Sequence, residues 1–160
     1  MLRIWMRIAF VAAMVLPLSL IGCAHHAAET PASGASTHAV LPASGLEQFF
    51  DESNRPFWKP EIEHIEGLQR GLRAVLRESA DERAGMILEQ FGDYRLQYVG
   101  ITRDGRRAIA VSGFCRALWS DFPDWQTRLV TIRGGGTCFW GATCNPDTKE
   151  CVGLSINARR

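Results

Sequence analysis

The sequence predicts an α+β domain: one long amphipathic helix packed on a curved antiparallel sheet of about five strands, pinned by disulfides. Three observations predict it. Apolar side chains recur at helical spacing over residues 60–77, residues 94–157 read as strands divided by turn signals, and four cysteines fall within that strand region. A helix stripe and a sheet face both need cover, and burying one against the other satisfies both.

Within Pro60–Arg77, one face carries Ile62, Ile65, Leu68, Leu72, Val75 and Leu76, while Glu61, Glu63, Arg70, Arg73 and Arg77 lie elsewhere. Pro60 suits a first helical turn, and acids early with arginines late complement the helix dipole. Glu66 and Arg70 form an (i, i+4) pair. Gly67 and Gly71 weaken the helix, and their spacing on one face points to close approach to a sheet. A weaker helical turn is predicted over Asp81–Gln90. Leu46, Phe49 and Phe50 within Gly45–Asp51 mark a short helix or an aromatic docking segment.

Strand chemistry begins after Phe91-Gly92. Tyr94–Thr102 and Arg107–Cys115 flank Arg103-Asp104-Gly105-Arg106, and Asp-Gly is a strong two-residue hairpin signal. An aromatic-rich connection, Cys115–Gln126, precedes predicted strands at Thr127–Arg133, Thr137–Cys144 and Glu150–Asn157, which complete an antiparallel meander. The run Gly134–Gly136 leads into a strand, so it reads as a turn or bulge. A phosphate cradle would lead into a helix.

The N-terminus reads as an export signal. Met1–Arg7 holds two arginines and no acid, Ile8–Ile21 is apolar except for Pro17 and Ser19, and a small residue then precedes Cys23. That is the build of a secretory signal peptide. The apolar run is short of the ~20 residues of a membrane span. Leu20-Ile21-Gly22-Cys23 resembles the lipobox of bacterial lipoproteins. The resemblance implies cleavage before Cys23, a diacylglyceryl thioether on its sulfur and an acylated amino group, an anchor of the two-or-more-chain kind that holds stably. Ala24 stands where aspartate favours inner-membrane retention, so the resemblance implies the periplasmic face of the outer membrane. An ordinary signal peptide or uncleaved anchor is the plainer alternative, but Cys23 sits right at the end of the apolar run.

The expected organisation is a signal peptide at 1–22, a lipidated N-terminus and flexible tether at 23–44, and one domain at 45–160. Ala24–Ser44 lacks apolar periodicity and is built mainly of Ala, His, Thr, Ser, Pro and Gly with one acid, a composition that cannot bury enough surface to fold. As a coil it would reach roughly 25 Å. Removing the signal peptide takes Arg3 and Arg7 from the 18 basic residues, leaving 16 against 17 acids. A net charge near −1 argues against nucleic acid or an anionic membrane surface as the main partner. His25, His26 and His38 lie in the tether without a second set of ligands at metal spacing, so no metal or cofactor is expected.

With Cys23 lipidated, Cys115, Cys138, Cys144 and Cys151 remain in an oxidising compartment. Three pairings are possible. If Asn145 and Glu150 close a four-residue turn, Cys144 faces Cys151 across the ladder, which leaves Cys115 with Cys138. In that register Phe139, Thr143, Val152, Leu154 and Ile156 share one face, the better partner for the helix. Cys138, Trp140, Cys144 and Cys151 share the other, so the bridges are expected away from the helix. A zinc site from these thiols lacks a Cys-x-x-Cys knuckle.

Tyr94–Ile101, Gly113-Phe114-Cys115, Trp125, Gly135–Phe139 and Leu154–Asn157 together resemble a group of small proteobacterial secreted proteins and lipoproteins without an assigned activity. Cys115 and Cys138 fall in that pattern, whereas Cys144 and Cys151 are extra, which supports pairing by twos. The resemblance brings no catalytic residues. One helix followed by a curved antiparallel sheet also resembles cystatin-like and nuclear-transport-factor-like folds in shape alone.

Function stays open at this level. His64 is the domain's one histidine and reads as a rim residue of the helix more readily than as a base. Asp121 with Asp124, or Glu61 with Glu63, could supply the two carboxylates of an envelope hydrolase acting on glycan or peptide. The favoured reading is a non-catalytic binding or accessory module with a protein partner in the envelope. Trp119, Phe122, Trp125, Trp140 and Arg116 are the candidate contacts, since tryptophan and arginine anchor interfaces. The same rings could instead close the sheet as core. A spacer between membrane and cell wall is a third possibility, although the sequence ends Ala158-Arg159-Arg160, without a lysine for covalent attachment. A sheet apolar on both faces must have its second face covered, by the aromatic loop, by the Phe49-Phe50 segment or by another protein.

Overall fold

The computed structural model describes residues 36–159. The signal segment, the lipobox and Cys23 lie outside the described residues. No helix among the described residues is long and apolar enough to cross a membrane. The fold is α+β, a five-strand mixed sheet with a few short helices and two disulfides.

The strands are β1 (His38–Val40), β2 (Tyr94–Arg103), β3 (Arg106–Cys115), β4 (Phe139–Cys144) and β5 (Cys151–Ile156), ordered β1-β2-β3-β4-β5. Neighbours from β2 onward are antiparallel, and β1 runs parallel to β2. The β2–β3 turn places Asp104 and Gly105 at φ 51° and 71°, the pair of left-handed residues that a twisted two-residue hairpin needs.

Two expectations fail here. The tether does not extend to Ser44: His38–Val40 is a strand, and Leu41 and Leu46 are buried. Their few apolar side chains find cover on a sheet built far along the chain. Thr127–Arg133 is not a strand but an irregular segment held chiefly by the Gln97 side chain. Gln97, fully buried on β2, donates from Nε2 to the carbonyls of Trp125 and Arg128 (2.7 Å to the latter), and its Oε1 accepts from the Val130 amide at 2.8 Å. Those bonds take the place of a backbone ladder.

The long helix is also broken. Helices α1 (Ile62–Ile65) and α2 (Leu68–Glu78) meet at Gly67, whose φ of 81° is left-handed. A shorter helix, α3 (Arg83–Glu89), follows. Lys149, from the β4–β5 turn, donates to the Glu63 and His64 carbonyls at 2.6 and 3.1 Å, covering orphan acceptors at the end of α1. Leu68, Leu72 and Leu76 of α2 are sealed against β4 and β5, while Ile62, turned aside by the break, is 60% exposed.

The core has two layers, one on each face of the sheet. Beneath the helices lie Leu96, Tyr98, Ile109, Val111, Trp140, Ala142, Cys144 and Cys151. On the other face Val99, Ile101, Ala108, Phe114 and Phe139 pack under Leu41, Leu46, Trp125 and Val130, so the chain's own 41–57 and 116–130 segments cover it. The expected assignment of faces is thereby corrected: Trp140, Cys144 and Cys151 face the helices, and Phe139 and Thr143 face away. Leu154 and Ile156 nevertheless stay on the helix side. Gly153, at φ 65°, lies at a register shift between Gly141 and Thr143, and the bulge reverses the alternation along β5. A strict period of two could not place both groups on one face.

Disulfides join Cys144 to Cys151, opposed across the β4–β5 ladder beneath α2, and Cys115 to Cys138, at the other end of β3. The first bridge is therefore on the helix face, not opposite it.

Tyr98, 2% exposed, makes one prediction. Burial raises its phenol from 10.0 to about 12. Below pH 10 neither the folded nor the unfolded state ionises it. Between pH 10 and 12 the unfolded chain gives up the proton first, so stability falls as pH rises. Denaturant midpoints at pH 9 and pH 11.5 are expected to show wild type losing ground to Tyr98→Phe at the higher pH. An equal difference at both would contradict it.

Candidate functional site

The side-chain arrangement with the least structural explanation lies at the β2 start, on the face away from the helices. Strand alternation puts Arg95, Gln97, Val99 and Ile101 on that face. Three of the four are buried there, and Arg95 is half-buried. A 3-10 turn over Arg116–Asp121 follows β3 and brings Trp119 over Arg95. The Arg95 guanidinium carbon lies 4.0 Å from the Trp119 ring centroid and 4.6 Å from that of Trp125. Arg116 reaches the same Trp119 ring at 5.5 Å and approaches the Asp93 carboxylate at 3.5 Å, a long, exposed pairing of little strength.

Burial pushes the Arg95 guanidinium pKa down. Its Nε and the Trp119 Nε1 are sealed from solvent without a hydrogen-bond acceptor among the described residues. Phe122 joins the cluster from the side, edge-on to Phe114 and Phe139, and Trp125 closes it from within at 5% exposure.

Of the predicted contacts, Arg116 and Trp119 meet near the surface, while Phe122 packs on Phe114 and Phe139. Trp125 is chiefly core. Trp140 is corrected outright: it is 3% exposed beneath the helices, packed on Phe91 and Tyr94, and presents nothing to a partner. Arg95 was missed, although a signal existed, since a charge shares strand parity with Val99 and Ile101.

The hydrolase candidates are further apart in kind. Asp121 and Asp124 are exposed and line a hollow of about 260 Å³ with Phe49, Trp125 and Arg128. His64 is committed elsewhere: its Nδ1 accepts the Glu61 amide at 3.0 Å at the start of α1, and its ring meets Trp58 edge-on. The described His, Cys, Asp and Glu residues form no cluster able to hold a metal ion. The glycine run closes a turn, where the Asn157 side-chain amide donates to the Ile132 and Gly134 carbonyls.

No family model matches the chain, and neither the curated proteins nor the solved structures contain a significant match to it.

Proposed function

We propose that this protein is a lipid-anchored, non-catalytic binding or accessory module of the bacterial envelope, an inhibitor or assembly component, whose working surface is the Arg95–Trp119–Arg116 end of the sheet. The observation that carries the reading is a half-buried tryptophan with two arginines on its ring, the residue types on which interface energy concentrates. The chain also enters the sheet beside this surface, because His38 pairs with Leu96. Lipid on Cys23 would hold the cluster close to the outer membrane's periplasmic face.

Three measurements test the proposal. Labelled palmitate should enter the native protein and be lost in Cys23→Ser, and fractionation should recover the protein with the outer membrane. Crosslinking in intact cells, followed by pull-down and mass spectrometry, should return one partner in stoichiometric yield, lost in Trp119→Ala. Recovery of the protein alone, or only with abundant porins, contradicts it. The rival hydrolase predicts that Asp121→Ala or Asp124→Ala abolishes turnover of an envelope glycan or peptide. The binding reading predicts no such turnover to abolish.

A further inference from the structure

Four charged residues are half-buried among those described: Asp81, Arg83, Arg95 and Lys149. Three are matched. Asp81 and Arg83 pair at 2.6 Å, Arg83 also donates to the Asn157 carbonyl at 2.6 Å, and Lys149 donates to two helix-end carbonyls. Arg95 makes no hydrogen bond and no ion pair to any described residue, although its two Nη nitrogens, unlike Nε, are not sealed off. Drawing part of a charge out of water carries a desolvation cost, which stacking on the indole rings only partly offsets. An uncharged side chain of similar length would hold Trp119 and Trp125 at lower cost.

We infer that Arg95, with Arg116, is a recognition site for a carboxylate, the acidic side chain or terminus of the partner. The assignment rests on the binding reading of the same loop and names the chemistry it takes. The guanidinium is planar and held by two rings, so little freedom is lost when its Nη edge donates two parallel hydrogen bonds to a carboxylate. Arg116, exposed and weakly held by Asp93, swings in as the second cation. Asp93 beside it disfavours a dianion such as phosphate more than a single carboxylate.

The test uses the full-length lipoprotein in detergent micelles, with the Arg Nε–H and Trp indole N–H signals followed by NMR. The probe is acetyl-Gly-Glu-Glu-Gly-amide, beside its Gln-Gln analogue and inorganic phosphate. The Arg95 and Trp119 signals should move together and saturate with the glutamate peptide, and not with the glutamine one. Arg116→Gln should weaken the response about threefold, as for an exposed charge contact. Arg95→Met should fold at least as stably as wild type and lose the response, which separates recognition from packing. No saturable shift, or a shift unchanged in both variants, overturns the site. A response to phosphate alone overturns the carboxylate assignment. Stoichiometric partner capture that survives Arg95→Met would overturn this site while leaving the binding module standing.

Discussion

Replacing Cys115 and Cys138 together by alanine is expected to lower unfolding stability by about 3.5 kcal/mol, as the closing of a loop of this length implies. The bridge spans 23 positions and ties the end of β3 to the start of β4 across the whole aromatic connection. Without it the unfolded chain regains the freedom of that loop, and the folded state keeps only side-chain contacts to hold Trp119 and Trp125 in place. Removing Cys144–Cys151, which spans 7 positions between strands already joined by a short turn, should cost nearer 2.5 kcal/mol on the same loop-entropy basis. Denaturant midpoints under non-reducing conditions decide it. A larger loss for the short bridge would mean that packing beneath α2, not loop entropy, dominates.

Gly71→Ala is expected to destabilise the fold by about 2 kcal/mol, although alanine is the better helix former by roughly 1 kcal/mol. A Cβ at position 71 would overlap the backbone carbonyl of Lys149 and sit 3.0 Å from the Cys151 sulfur. Neither is the flexible tip of a side chain, so relief requires α2 and the β4–β5 hairpin to separate. That separation would also strain the Lys149 bonds that cover the end of α1. Gly85→Ala, where the new methyl meets nothing within 4 Å, is the control and should be neutral or stabilising. Equal effects at the two positions would contradict the close approach.

Parts of this fold were legible before any coordinates, and Gly71 is one of them. Two glycines four apart on a helix face announced contact with a sheet, and only one of them makes it. Gly67 instead serves the break. The β2–β3 hairpin was readable to within a residue because Asp104-Gly105 dictates its own backbone. The β4–β5 pairing of Cys144 with Cys151 followed from the turn length. Arg116 and Trp119 come together because one 3-10 turn carries both, whereas Trp140 stands on the face beneath the helices.

The sequence by itself determined what local chemistry and alternation can encode: an α+β domain, its helical stripe, its hairpins and the opposition of two cysteines. Tertiary structure alone decided which sheet face the helices cover, since the bulge at Gly153 reverses parity along β5 and a lone strand glycine does not say which face the helices take. It also decided that β1 joins the sheet across more than fifty intervening residues, and that Gln97 replaces a strand by holding residues 125–130. Arg95 belongs to the same class. Its charge is ordinary in the sequence and anomalous only where two distant tryptophans close over it and no acid among the described residues pairs with it.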